Sequence, residues 1–216
     1  MSIDPTVSRL AADGVAYAPE IATAARRHGL DPELLAAVAA QETGGTASNA
    51  GRNVVGDGGH GRGLFQIDDR WHPFATTPAA MDPQRNADYA AGLISGLLKR
   101  YGGDVHEALS AYNAGSPTAT GTRTRWSDGN DLGYADSVLR HYERLTGEPA
   151  RASAIAESGE TVASVGALQS AAERLPPMPS FSLPIRSGEP HPAHAYHRQS
   201  TDYLSLLSDD TDETNS

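Results

Sequence analysis

Three carboxylic acids in the first third of the chain have the residue types and spacing that acid–base chemistry requires. Glu42 ends an apolar run at residues 34–41, and Asp57 and Asp68 follow in a segment dense in glycine. Apolar neighbours raise the pKa of a carboxyl group, whereas a polar, hydrated setting keeps a carboxylate charged. Cleavage of a glycosidic bond uses one carboxyl of each kind. The pattern predicts that Glu42 donates a proton while Asp57 and Asp68 stay ionised in a hydrated loop.

Each of these acids also has a structural interpretation. A helix over residues 31–45 places Glu42 on the same face as apolar residues, but the helix end could equally hold it in solvent. Asp57 precedes a glycine, which is the usual pair in a tight turn. Asp68 could cap a short turn. The residues by themselves leave these interpretations open.

The elements that must position the three acids are predicted to be mostly helical. Asp-Pro pairs and apolar stripes mark helix starts and buried faces, and glycines mark helix ends. The predicted helices span residues 19–28, 31–45, 83–101, 104–112 and 131–145. The remaining stretch at 116–130 is rich in Ser, Thr, Pro, Gly and Asn, which predicts a loop.

Composition divides the chain into a lead-in at residues 1–18, a helical domain at 19–148 and a tail at 149–216. The tail is rich in proline and acidic residues, so we expect a linker followed by a largely disordered segment. The formal net charge is -10, and no basic patch suggests nucleic-acid binding. No apolar run is long enough to span a membrane, and the first residues lack the pattern of a secretory signal.

Two further patterns in the sequence resemble ligand-binding motifs but have better structural interpretations. Residues 56–61 fit G-x-G-x-x-G by letter, but no strand–helix unit surrounds them, so a tight loop that lets a substrate approach is the better interpretation. Three histidines of the tail, at 191, 194 and 197, are spaced like weak metal ligands but lie in a segment predicted to be unstructured. The chain has no cysteine. We therefore predict no metal and no cofactor.

Three separated motifs together resemble the goose-type lysozyme and soluble lytic transglycosylase superfamily. They are E-T-G at 42–44, G-D-G-G-H-G-R-G-L-F-Q-I-D at 56–68 and A-L-S-A-Y-N-A-G at 108–115. The resemblance covers about residues 19–146 in the family's order. It implies a mainly α, lysozyme-like helical domain in which a small glycine-rich β/loop segment lines the cleft.

The resemblance also assigns roles to individual residues. It implies that Glu42 is the general acid, and that Asp57 and Asp68 correspond to the two downstream acids of goose-type enzymes, which position a water. Residues of the second and third motifs are expected to contact the sugar; they are Gly63, Leu64, Phe65, Gln66, Tyr112 and Asn113. His60 lies in the loop where the family varies, so it could contact the sugar or be solvated. Trp71, Trp126 and Tyr134 could stack on sugar rings or pack in the core.

The function that the resemblance implies is cleavage of peptidoglycan glycan strands. A muramidase would hydrolyse the β-1,4 bond between N-acetylmuramic acid and N-acetylglucosamine. The alternatives are a lytic transglycosylase, which forms 1,6-anhydro-muramic ends, and a non-catalytic wall-binding or assembly protein that reuses the fold.

Delivery is a separate expectation. Without a classical signal, the protein would be made in the cytoplasm and would reach the bacterial wall by phage release, as part of a virion or through a secretion device. The acidic tail at 150–216 is expected to bind a carrier, whereas nucleic acid and membrane insertion are not expected.

Overall fold

The computed structural model describes residues 4–148, and helices dominate this part of the chain. Its α-helices are α1 (Pro5–Ala12), α2 (Ala18–His28), α3 (Pro32–Ala39), α4 (Pro83–Arg100), α5 (Val105–Ala114) and α6 (Tyr134–Thr146). Its strands are β1 (Val54–Gly56), β2 (Gly61–Gly63), β3 (Ile67–Asp68), β4 (Thr124–Arg125) and β5 (Asp131–Leu132). The prediction of a mainly α domain with a small glycine-rich β segment is confirmed.

The helices begin where the sequence places acidic caps. Asp31, Asp82 and Asp104 precede α3, α4 and α5, and each side chain accepts a hydrogen bond from a backbone N–H of the first turn. Such bonds satisfy amides that have no partner inside the helix. Glycines in the left-handed conformation end α2, α5 and α6; they are Gly29, Gly115 and Gly147.

Helix α3 lies at the centre of the domain. Every side chain from residue 34 to residue 40 is at most 1% exposed. Helices α2 and α6 pack against α3, while α4 packs against α2 and α5. Because four of the seven residues at 34–40 are alanines, neighbouring helices can approach α3 closely.

The first segment of the chain also contributes to this core. Leu10 of α1 is fully buried, and Val15, in the turn that follows, is 5% exposed. Helix α1 packs against α2 and α3. The stretch at 1–18, which composition alone describes as a lead-in, therefore includes a helix that packs on the domain.

The glycine-rich segment forms an antiparallel sheet in the order β1-β2-β3. One buried side chain of α4, Asn86, attaches it to the helices. The Phe65 N–H donates to Asn86 Oδ1 over 2.8 Å, and Asn86 Nδ2 donates to the carbonyls of Arg62 and Ala80 over 3.0 Å each. The amide thus replaces backbone partners that the short strands do not provide.

Three predicted spans are wrong in part. Helix α6 begins at Tyr134 rather than at 131, because residues 131–132 pair with 124–125 as strands β5 and β4. The predicted loop at 116–130 accordingly contains β4. The predicted helix at 31–45 leaves α-helical geometry after Ala39, as described below.

Other predictions lie outside the described residues. The tail at 149–216, with its proposed linker, its histidines and its carrier contact, is beyond the part of the chain that the structure describes. Within residues 4–148, no helix combines the length and the apolar character that a membrane span requires.

Replacing Asn86 by alanine should strongly destabilise the domain. The substitution leaves one buried N–H and two carbonyls without their partner, so we expect a loss of about 3 kcal/mol or more in the free energy of unfolding. Urea denaturation measures this loss. Asn130→Ala, at an exposed site in the β4–β5 connection, is the matched control and should change stability by about 0.5 kcal/mol or less. Equal losses for both variants would contradict the role of Asn86.

Candidate active site

Glu42 lies on an unusual turn of helix. Residues Ala40–Gly44 continue α3 as a π-helical turn, in which the Gly45 N–H donates to the Ala40 carbonyl over 3.1 Å. Single π-helical turns are rare in proteins overall, but those that occur are frequently found at functional sites. The turn directs Glu42 toward α6.

Glu42 is partly buried, and its carboxyl group bonds to the phenol of Tyr134. Tyr134 Oη donates to Glu42 Oε1 over 2.6 Å, and Tyr134 itself is only 1% exposed. Burial raises the pKa of Glu42 to about 7, and the Tyr134 hydrogen bond opposes this shift because it favours the charged form. Glu42 can therefore hold a proton near neutral pH, as a general acid must.

The turn between β2 and β3 adjoins the π turn. Thr43 Oγ1 donates to the Leu64 carbonyl over 3.2 Å. Tyr112 Oη donates to the Phe65 carbonyl over 3.2 Å, and the rings of Tyr112 and Tyr134 lie 6.3 Å apart. The structure thus brings Glu42 and Tyr112 close to the Leu64–Phe65 backbone.

Two residues predicted to contact sugar have side chains in the core instead. Leu64 and Phe65 are 0% and 1% exposed and belong to the hydrophobic cluster of the domain. The G-L-F segment turns sharply at Gly63, where φ is +75° and a Cβ would collide with Asn86. Any contact of Leu64 or Phe65 with a substrate would therefore be made by the backbone.

Gln66 explains two glycines of the second motif. Its Nε2 donates to the carbonyl of Gly63 over 2.7 Å and to that of Val54 over 3.1 Å. A Cβ on Gly56 or on Gly61 would collide with the Gln66 side chain. The expectation that these glycines admit a substrate needs correction, because the group that approaches them is Gln66.

Asp57 and Asp68 share one cation, Arg70. Arg70 Nε donates to both carboxylate oxygens of Asp68 over 2.9 and 3.0 Å, and Arg70 Nη2 bonds to Asp57. Burial alone would raise the pKa of Asp68, but the hydrogen bonds and charge of Arg70 lower it below the usual value. Asp68 is therefore ionised, as predicted.

The predicted setting of Asp68 is wrong in one respect. Asp68 lies on β3 and is 7% exposed, so it is not a hydrated loop residue. Its charge is maintained by Arg70 rather than by water. Asp68 Oδ1 also accepts from the Arg70 backbone N–H over 2.8 Å, which is the turn-capping bond that the structural interpretation anticipates. Asp57 lies on a tight turn with φ +47°.

His60 belongs to the same polar group. Its Nδ1 lies 2.8 Å from Asp69 Oδ1, and Arg62 Nη2 donates to the other oxygen of Asp69 over 3.2 Å. His60, Asp68 and Asp69 offer ligand atoms within 4.8 Å of one another. Because Arg62 and Arg70 already bond to the two carboxylates, a cation here would have to displace guanidinium groups.

The side chain of Asn113 bonds to the loop that follows α5. Its Oδ1 accepts from the Thr122 N–H over 2.8 Å. Among the aromatic candidates, Trp71 is 58% exposed, whereas Trp126 and Tyr134 are buried. Trp71 is thus the member of this trio with a ring accessible to solvent.

One groove within residues 4–148 lies away from these acids. This groove, of about 500 Å³, follows the outer face of α6 and is lined in part by Asp128, Leu139 and Glu143. Glu42 does not line it. The chemistry around Glu42, rather than the depth of a pocket, defines the candidate site.

Two residues that bond to the acids of this site, Tyr134 and Arg70, are not indicated by the sequence motifs. The sequence indicates only stacking or packing for Tyr134, because its bond to Glu42 spans 92 residues of chain and no local pattern reveals it. Arg70 was not assigned a role. Its position two residues after Asp68 was the available signal, since an arginine that close to a turn aspartate can fold back onto it.

A partly buried, protonatable carboxyl therefore lies on a helical scaffold, and the ionised Asp68 lies on an adjoining sheet. The sequence model of the Transglycosylase SLT domain matches residues 19–130, just over half of the chain. The chain belongs to this family and is thereby a peptidoglycan-cleaving enzyme of the lysozyme-like class. A search of solved structures gave no match for this chain.

The raised pKa of Glu42 should make stability depend on pH. Because burial raises the pKa from 4.5 to about 7, the stability linked to protonated Glu42 is complete below pH 4.5 and is lost as the pH rises through 7. The Gln side chain of Glu42→Gln stays neutral at every pH. Relative to the wild type, the free energy of unfolding of this variant should therefore increase by up to about 3 kcal/mol as the pH rises from about 4 to about 8.

Urea denaturation across this pH range measures the difference. Glu20→Gln, the same substitution in the first turn of α2, is the control and should show no such gain. If the free energies of unfolding of Glu42→Gln and the wild type differ by the same amount from acid to alkaline pH, the raised pKa of the Glu42 carboxyl is contradicted.

Proposed function

We propose that this chain is a muramidase that hydrolyses the β-1,4 bond between N-acetylmuramic acid and N-acetylglucosamine. Glu42 is the general acid, and Asp57 and Asp68 position the attacking water. One observation carries the proposal: burial raises the pKa of Glu42 to about 7, whereas Arg70 lowers the pKa of Asp68. Carboxyl groups whose environments separate their pKa values in this way are suited to opposite roles.

Glu42 supplies the proton that the departing sugar oxygen requires. Its protonated form is well populated near neutral pH, because the surrounding protein disfavours its charge. When the proton leaves, the Tyr134 hydroxyl stabilises the carboxylate through the bond it already makes. The pair therefore supports both protonation states of the acid during the reaction.

Asp57 and Asp68 supply the negative charge that orients a water. Arg70 bonds to both side chains and so lets two carboxylates approach each other without mutual repulsion. In an inverting reaction, a water enters between acid and base, which requires about 6.5–9.5 Å between their carboxyl groups. Either aspartate can hold that water, so their roles overlap in part.

A lytic transglycosylase is the second candidate. The bonds of Arg70 favour it, because Arg70 occupies oxygens of both aspartates and a carboxylate of lowered pKa is a weaker base. The description of the matching family points the same way. Glu42 would then perform both proton transfers, and a hydroxyl of the muramic acid itself would close the 1,6-anhydro ring.

Mass spectrometry of the products separates the two reactions. We expect purified peptidoglycan to yield reducing N-acetylmuramic ends. Glu42→Gln should reduce cleavage by about 10²–10⁴-fold, because the amide cannot donate the acid's proton. Asp57→Asn/Asp68→Asn should reduce hydrolysis by about 10²-fold or more, because neither amide holds the negative charge that orients the water.

The controls are Glu20→Gln for the acid and Asp13→Asn, at an exposed position, for the aspartates; both should cleave like the wild type. Ends lighter by one water would identify transglycosylation. Full activity of the doubly substituted aspartate variant would refute the water-positioning assignment. Unchanged cleavage by Glu42→Gln would refute the enzyme as described, and wall binding without cleavage by the wild type would indicate a binding protein.

A further inference from the structure

Gln41, next to the acid, is held by a series of three hydrogen bonds that are buried or partly buried. Trp126 Nε1 donates to Ser137 Oγ over 3.0 Å, and Ser137 Oγ donates to Gln41 Oε1 over 2.6 Å. Gln41 Nε2 donates to Thr124 Oγ1 over 2.8 Å. The π turn is thereby connected to α6 and to β4 at the same time.

The chemistry of the four side chains fixes which group donates and which accepts in each of these hydrogen bonds. An indole N–H can only donate, so Ser137 Oγ must accept from Trp126 and pass its own hydrogen to Gln41. The Gln41 amide then has its oxygen toward Ser137 and its nitrogen toward Thr124. Ser137 is fully buried and Trp126 is 6% exposed, so a reversed orientation would leave buried groups unpaired.

Helix α6 therefore contacts two consecutive residues of the π turn. Tyr134 and Ser137 are three positions apart, which places them on one face of the helix. Tyr134 donates to Glu42 and Ser137 donates to Gln41. Because the two bonds start from one rigid helix, the bond to Gln41 also constrains where the Glu42 carboxyl lies relative to the Tyr134 hydroxyl.

We propose that Ser137, Gln41 and Trp126 are positioning residues of this enzyme, which fix the π turn so that the Glu42 carboxyl stays against the Tyr134 hydroxyl. The proposal rests on the assignment of Glu42 as the general acid under the proposed function. None of the three needs to touch the substrate. Their contribution is to hold the acid in place, since a displacement of about 1 Å in a catalytic group can reduce the rate about 10²-fold.

The test compares Ser137→Ala and Thr124→Val. These variants interrupt the series of hydrogen bonds at its centre and at its end. Thr124 is partly exposed, and valine keeps its shape, so this variant should fold even if Ser137→Ala does not. We expect kcat on soluble glycan strands to fall about 10- to 100-fold in Ser137→Ala and less in Thr124→Val, with KM changed by no more than about twofold.

The pH profile supplies a second readout. Activity should fall as the pH rises through the pKa of Glu42, because the acid must be protonated. A loosened π turn admits water to the carboxyl, so this alkaline limb should move to lower pH by about one unit. The neighbours of Trp126 do not titrate in this range: burial lowers the pKa of His141 to about 3, and Arg140 and Arg144 remain charged.

Ser110→Ala is the matched control. Ser110 is 1% exposed, and its Oγ has no hydrogen-bond partner within residues 4–148. The variant should keep the wild-type kcat and alkaline limb. The proposal is overturned if folded Ser137→Ala and Thr124→Val match the wild type, or if kcat falls while the limb does not move. Activity in Glu42→Gln would overturn the proposed function instead, so the two failures are distinguishable.

Discussion

A charged carboxyl group is costly where protein replaces its surrounding water, and the packing of α6 across the end of α3 puts Glu42 in this situation. Burial raises its pKa to about 7, and the Tyr134 hydroxyl lessens the shift without removing it. The small side chains of α3 let the helices approach closely, since residues 34–40 are all buried. The acidity of Glu42 is therefore a consequence of helix packing.

The rest of the site keeps Asp68 in the opposite protonation state, the charged one. Asp68 is buried almost as fully as the core, yet Arg70 keeps it charged. Asn86 attaches the strands that carry this group to α4, and Thr43 connects the same strands to the π turn. One sheet thus joins a site that favours a neutral carboxyl to one that favours charged carboxylates.

Local signals in the sequence predicted much of the fold. Asp31, Asp82 and Asp104 cap helices as expected, because a cap depends on residues within one turn. The apolar neighbours of Glu42 also predicted a raised pKa. The motifs that suggested the superfamily agree with the match to the SLT domain.

What the sequence could not supply depends on contacts between distant segments. Tyr134 meets Glu42, and Ser137 meets Gln41, across more than ninety residues. The prediction that Asp68 lies in a hydrated loop was wrong, because the composition of a loop does not reveal an arginine that folds back onto the aspartate. Gly56 and Gly61 were interpreted as room for a substrate, whereas the Gln66 side chain fills that space.

The most direct test of this account is the pKa of Glu42 itself. Carboxyl carbon shifts of glutamate-labelled protein can be followed by NMR during a pH titration, with Glu42→Gln identifying the resonance. We predict a midpoint of about 7 and a higher midpoint in Tyr134→Phe, because that variant loses the bond that favours the charged form. A midpoint near 4.5, the ordinary value for a glutamate, would contradict a general acid of raised pKa.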